Sequence, residues 1–232
     1  MKPPLLSIVI PAFNEETCVP VLFEELSRVL DNIPSYEFEV IIVDNGSYDD
    51  TFEELCSIHH QDDRFKVIKL LRNCKADGAI SCGLRYASGK AAIILYADLE
   101  DPPHLIETFI KKWEEGFLHV YGITRGRQGG FMKKICSKLF YVVIHRLSNG
   151  VIPQNVADFR LVDRRVYREI NAIKENNRFL RGLIPWLNFK SIGIEYDRKT
   201  HRPGDVSKAT FFNVLNLSTI IKKNSINLIH AH

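Results

Sequence analysis

The chain has 232 residues, 45% of them hydrophobic and 25% charged, with a formal net charge of +3 at pH 7. This is the make-up of a soluble globular protein, long enough for one large domain or two small ones. Five cysteines, an odd count without CxxC or Cys/His ligand spacing, read as reduced thiols of a cytosolic protein, mostly core filler. No signal-peptide pattern is present, and no stretch reaches the roughly 18 consecutive apolar residues of a membrane span. The charge is unevenly spread. Residues 125–138 and 198–208 are basic, whereas acidic residues gather at 15–50 and 98–115. A local basic face points to phosphate-bearing partners, with an ordinary solvated surface as the alternative.

In chain order, short and almost continuous apolar runs predict strands at 5–10, 38–43, 66–71, 91–97 and 118–123. Such runs are typical of strands buried on both faces of a parallel sheet. Helical spacing fills 16–31, 51–60, 75–88 and 102–115. Asp50 or Thr51 is placed to cap the second of these helices. Asp101 is placed to cap the fourth, with Pro102 and Pro103 in its first turn and Gly116 beyond its end. Beyond residue 124 the rhythm breaks. A long helix is predicted over 131–148, a short strand at 157–163, helices at 164–174 and 177–187, and a strand at 189–197.

Strand–helix alternation predicts an α/β doubly wound sheet, whose ligands bind at the carboxyl ends of the strands. The segments PAFNEE (11–16), DNGSYDD (44–50) and ADLEDPP (97–103) then share one rim. Loops rich in carboxylates and amides, with arginines further along the chain, suit a ligand carrying a nucleobase, a diphosphate and a divalent metal. Mg²⁺ and Mn²⁺ take oxygen ligands, commonly one or two carboxylates plus substrate phosphates. Asp98 and Glu100 are the expected cation-facing pair.

Four segments, IVIPAFNEE, VIIVDNGSYDDT, LYADLEDPP and ADFRLVDRRV with NNRFLRGLIPW, together resemble the inverting family-two nucleotide-sugar glycosyltransferases. The match runs in the expected order from about residue 5 to about residue 208. The most similar branch is that of the polyprenyl-phosphate glycosyltransferases, to which dolichyl-phosphate mannose synthase belongs. The resemblance implies a GT-A fold, with a Rossmann-like, mostly parallel sheet flanked by helices and an acceptor-side second half. It divides the catalytic domain, 1–208, into a donor half of about 1–124 and an acceptor half of about 125–208, followed by a segment at 209–232.

The resemblance also implies roles for individual residues. Pro11, Phe13 and Glu15 match the loop that holds the nucleoside, and Asp44 and Asn45 match the acids near the base. Asn45 stands where the family usually has a second acid, which leaves the base identity open. Asp98 matches the last acid of the Asp-x-Asp metal motif, Glu100 the following Gln, and Tyr96 replaces the first acid. Asp158 matches the second-half aspartate near the acceptor, with an ion pair to Arg160 or Arg164 as the alternative reading. Arg178 and Arg181, three residues apart on one helix face, are expected to grip a phosphate. Arg125, Arg127, Arg202 and Lys208 are further candidates for that contact.

The implied reaction moves a sugar from a nucleotide-sugar donor, a UDP-sugar, to a polyprenyl phosphate in cell-envelope glycan biosynthesis, with Mg²⁺ or Mn²⁺ as cofactor. A glycan hydroxyl acceptor, with Asp158 as base, and a degenerate nucleotide-sugar-binding subunit are the alternatives. The expected partners are donor, lipid phosphate and membrane surface, not nucleic acid. Residues 209–232 place Phe211, Phe212, Leu215, Ile220 and Ile221 near Lys222 and Lys223. That pattern suits either a helix lying in a lipid interface or a packed terminal helix. The expected location is the cytoplasmic face of the membrane, peripheral or anchored by a part absent from this chain.

Overall fold

The computed structural model describes residues 2–125, 156–173 and 179–198. The helix expected at 131–148, the segment 209–232 and the candidates Arg127, Arg178, Arg202 and Lys208 lie outside the described residues. Seven strands are described: β1 (Leu5–Ala12), β2 (Glu37–Asp44), β3 (Phe65–Lys69), β4 (Ala91–Ile94), β5 (His119–Thr124), β6 (Val156–Asp163) and β7 (Ser191–Tyr196). The described helices are α1 (Val19–Asp31), α2 (Thr51–Gln61), α3 (Lys75–Tyr86), α4 (Leu105–Glu114), α5 (Arg164–Ala172) and α6 (Leu180–Trp186).

The strands form one sheet in the order β3-β2-β1-β4-β6-β5-β7. All pairings are parallel except those of β6, which runs antiparallel to both β4 and β5. Side chains alternate across a strand, so a run buried on both faces must feed two cores. In β1, Leu6, Ile8 and Ile10 join the core beneath α1, α2 and α4, while Val9 faces the core made with α3, α5 and α6. β4 divides the same way, with Ala91 and Ile93 on one side and Ala92 and Ile94 on the other. The helices complete three layers with apolar stripes three or four residues apart, such as Leu22, Leu26 and Leu30 of α1 and Ile106, Phe109 and Ile110 of α4.

Several local expectations are corrected. The strand expected to reach residue 97 stops at Ile94. The chain then turns through Leu99, whose φ of 55° is left-handed and whose side chain is 1% exposed. Burial of that leucine in the core offsets the steric cost of the turn. Asp101 does not cap α4: His104 occupies the cap position, and no side chain caps the helix. Asp50 sits at the cap of α2 without using its side chain. Its neighbour does that work, because Asp49 Oδ1 accepts from Thr51 N at 3.2 Å and from the Thr51 hydroxyl at 2.5 Å. Leu71, expected within β3, lies beyond the strand and is fully exposed. Of the four described cysteines only Cys18 is buried, and Cys74 is exposed.

Candidate active site

The parallel strands β1, β2 and β4 end at one rim of the sheet. Because β6 is antiparallel, its first residues arrive at the same rim: Ile94 is paired with Arg160, two residues after Asp158. Segments from the start, middle and second half of the chain therefore meet there.

The loops after β1 and β2 are stitched together by alternating backbone and side-chain bonds. Asn14 N donates to Ser47 Oγ at 3.0 Å, Tyr48 N to Asn14 Oδ1 at 2.9 Å, and Glu15 N to Thr51 Oγ1 at 2.8 Å. Asp50 N donates in turn to Glu16 Oε2 at 3.1 Å. Pro11 is buried at the end of β1 and Phe13 half-buried, with its ring edge-to-face on the exposed Tyr48 at 5.9 Å. Asp44 is fully buried. Its Oδ1 accepts from the Ser47 backbone and hydroxyl, but its Oδ2 has no protein partner. A buried carboxylate oxygen without a donor is costly, and a ligand N–H is the kind of group that satisfies it. Gly46 turns the loop with a φ of 76°, and a Cβ there would lie 2.8 Å from the Arg72 backbone.

Asn45, expected near the base, also binds within the protein. Its Oδ1 accepts from Cys74 N at 2.8 Å and its Nδ2 donates to Asn73 Oδ1 at 3.3 Å. The amide fastens the loop between β3 and α3, and Asp44 keeps the open acceptor.

After β4, Asp98 is 8% exposed, and its Oδ1 accepts from Glu100 N at 3.2 Å. Glu100 Oε2 pairs with Arg198 Nη1 at 3.0 Å. Asp101 is fully buried and takes Arg198 Nε at 2.7 Å, Arg198 Nη2 at 2.9 Å and the Tyr196 hydroxyl. Among the described residues, no cluster of three or more His, Cys, Asp or Glu forms a metal site. The donor set nevertheless fits Mg²⁺ or Mn²⁺ carried in with a diphosphate. It consists of hard carboxylate oxygens, few in number, and these ions keep most of their shell for phosphate and water.

The residues expected on the acceptor side gather around Asp158. Arg181 grips it with Nε on Oδ1 at 2.9 Å and Nη2 on Oδ2. Arg160 Nη2 reaches Oδ1 at 3.3 Å, and the Tyr96 hydroxyl donates to Oδ2 at 3.3 Å. Burial pushes the Asp158 carboxyl upward, but the Arg181 hydrogen bonds and the Arg160 and Arg181 charges prevail and hold it below its ordinary value. Burial and the Asp158 and Asp77 carboxylates push the Tyr96 hydroxyl well above its usual range, so it stays protonated. Of the two ion-pair partners foreseen for Asp158, Arg160 is found. Arg164 is not, since its guanidinium donates to Gly89 O at 2.9 Å and to Ser88 O. Arg125 is exposed at the end of β5 and pairs with Glu195 at 3.2 Å.

Three contributors went unnoticed in the sequence. Asp77, on α3, accepts from Leu180 N at 3.3 Å and docks the start of α6 beside Arg181. Tyr196 and Arg198 hold the loop after β4. Arg198 falls inside the basic segment 198–208, but nothing local joins it to acids 97 residues earlier.

Comparison with known proteins agrees with this geometry. The model of "Glycosyl transferase family 2" matches residues 7–171. An uncharacterized glycosyltransferase of Synechocystis sp. is 40% identical over 200 residues, covering 86% of this chain and 63% of the relative. A bactoprenol glucosyl transferase of Shigella phage SfX is 30% identical over 214 residues, covering 92% of this chain and 70% of the relative. The chain spans 62–63% of the length of the Synechocystis protein and of a Bacillus subtilis relative. Glucosyl-3-phosphoglycerate synthase of Mycobacterium tuberculosis superimposes with a TM-score of 0.62 at 16% identity, over 86% of this chain and 73% of that one. That likeness is one of fold, the GT-A arrangement of a mostly parallel sheet between helices. With the family model over most of the chain and a relative 30% identical over 214 residues, the chain belongs to glycosyl transferase family 2.

Proposed function

We propose that this chain transfers a sugar, with inversion, from a UDP-sugar to a polyprenyl phosphate at the cytoplasmic face of a membrane. The observation that carries the reading is the Asp158–Arg181–Arg160 cluster on the donor rim. A general base for a sugar hydroxyl works best with a pKa near the operating pH. Asp158, gripped by two guanidiniums and held below its ordinary value, is poorly suited to that task. A phosphate acceptor is already anionic and needs placing rather than deprotonating. Arginines supply this, and Arg181 is the described residue for it.

Further support comes from relatives named bactoprenol glucosyl transferase and from solved neighbours of the same fold that bind UDP with Mn²⁺. Phe179 and Trp186, seven residues apart around α6, are 52% and 70% exposed, as aromatic side chains at a lipid surface are. Among the described residues no helix is long and apolar enough to cross a membrane.

In this reading Asp44 Oδ2 takes a base N–H, Phe13 lies against the nucleoside, and Asp98 faces the diphosphate. A bound Mg²⁺ or Mn²⁺ supplies charge neutralisation of the diphosphate leaving group. Asp98 would hold the ion, with Glu100 engaged by Arg198. An acceptor phosphate oxygen, placed by Arg181, attacks the anomeric carbon on the face opposite the diphosphate as the anomeric C–O bond breaks. One displacement gives inversion. The test is nucleotide release and glycolipid formation from a donor panel with a short polyprenyl phosphate. Turnover on glycan hydroxyls but not on the lipid phosphate would overturn the acceptor assignment. Nucleotide binding without turnover on either would make the chain a binding subunit.

A further inference from the structure

One guanidinium spans two consecutive acids of the loop that also carries Asp98. Arg198 places Nε and Nη2 on the two oxygens of Asp101, at 2.7 and 2.9 Å, and Nη1 on Glu100 at 3.0 Å. The Asp101 end is fixed, because that carboxylate is fully buried and also carries the Tyr196 hydroxyl. The Glu100 end is half-exposed, with side-chain exposures of 31% for Arg198 and 28% for Glu100. An arginine keeps its charge at any working pH. Glu100 therefore faces a permanent cation anchored on the buried Asp101.

We infer that Arg198 is a positioning residue that withholds Glu100 from a divalent cation, so that the ion binds together with the donor diphosphate rather than ahead of it. The inference rests on the cation-assisted reading above. A divalent ion approaching Glu100 must displace the guanidinium or lie beside it, and both cost Coulomb energy. With Glu100 committed, the loop's carboxylates supply too few oxygens for a six-coordinate shell. Diphosphate oxygens then supply the remainder. The arrangement also gives the acid at position 100 a charged partner across the loop.

The test is Mn²⁺ binding, read from the electron paramagnetic resonance signal of the free ion, with and without UDP. Wild type is expected to bind Mn²⁺ weakly alone and much more tightly with UDP. Arg198→Gln is expected to tighten nucleotide-free Mn²⁺ binding about two- to fivefold, the scale of a half-exposed ion pair. Adding Glu100→Gln to that variant is expected to abolish the gain. Arg198→Gln leaves the buried Asp101 charge without its main partner, so Asp101→Asn/Arg198→Gln provides a second background in which the same gain is expected. Unchanged or weaker Mn²⁺ binding in both folded backgrounds, or a gain that survives Glu100→Gln, overturns the inference alone. Absence of Mn²⁺ binding by wild type even with UDP overturns both the inference and the cation-assisted reading.

Discussion

The two rims of the central sheet both carry buried acids, and among the described residues only one rim leaves a buried carboxylate oxygen without a protein partner. At the rim where β1 and β2 begin, Glu39 is 4% exposed and fully provided for. It accepts from the Ser7 hydroxyl, from the backbone and hydroxyl of Ser88, and from Lys66 Nζ, each at 2.7 Å. Asp163, at the same rim because β6 is antiparallel, takes Trp113 Nε1 at 2.7 Å and caps α5 through Arg165 N at 2.9 Å. At the other rim Asp44 is fully buried with Oδ2 unpartnered, and Asp158 is held between the buried Arg160 and the partly exposed Arg181. A saturated buried acid holds the fold together. A buried acid with an open lone pair stores unfavourable desolvation that a ligand relieves. Asp101, at the site rim, is saturated as well, so it is the open Asp44 oxygen that sets that rim apart.

The comparison can be broken by exchanging the consequences of mutation between the rims. Asp98→Asn keeps size and removes charge, so turnover should fall about a hundredfold or more, the scale of losing one transition-state charge stabiliser. Metal-dependent UDP affinity should fall well over tenfold in calorimetry while the melting temperature stays near that of wild type. An Asp98→Asn protein that binds UDP and Mn²⁺ normally would remove this residue from the site.

Arg181→Ala should raise the KM for a short polyprenyl phosphate by roughly ten- to a hundredfold, the loss of one charged hydrogen-bonding partner. UDP binding should hardly change. Lysine should rescue poorly, because it lacks the planar fork that spans both Asp158 oxygens. Equal losses for donor and acceptor would move Arg181 to the diphosphate.

Glu39→Gln tests the opposite rim, where stability rather than activity should suffer. Burial works to raise the Glu39 carboxyl, but hydrogen bonds from Lys66, Ser7 and Ser88 outweigh it and bring it from 4.5 to about 2. A carboxyl whose pKa is lowered on folding contributes stability above its unfolded value and loses it as pH falls. The melting-temperature gap between wild type and Glu39→Gln should therefore be full above about pH 4.5 and close as pH approaches about 2. At neutral pH the difference in unfolding free energy should amount to about 1.5–3 kcal/mol, with per-molecule turnover of the folded fraction unaltered. A gap that widens in acid would refute the assignment.

The smallest effect is expected for Tyr96→Phe, which removes only the hydroxyl that donates to Asp158 at 3.3 Å. Acceptor KM should rise about threefold, near the value of one neutral-to-charged bond of indifferent geometry. Metal and UDP binding should stay unchanged, since Tyr96 packs against the apolar core and turns its hydroxyl to Asp158. A change in Mn²⁺ affinity instead would place Tyr96 with the cation.

Much of this molecule was legible in one dimension. Continuous apolar runs determined the strands, because a strand buried on both faces has no polar face to show. Helical stripes determined the layers, and strand–helix alternation placed the segments beginning at Pro11, Asp44 and Ala97 on one rim. Asp98 was identifiable because a carboxylate just beyond a buried strand has no local reason to be there. Partners were another matter. Asp101 has the spacing of a helix cap but is held by Tyr196 and Arg198, 95 and 97 residues away. Asn45 matches a base-binding position yet spends its oxygen on Cys74, 29 residues along. Asp77 meets Leu180 across 103 residues. Periodicity reports which face of an element is apolar, a property of neighbouring residues. The partner of a buried charge is fixed only when distant strands are laid side by side. The sequence thus determined where the carboxylates lie, and the tertiary structure decided which of them are already spoken for.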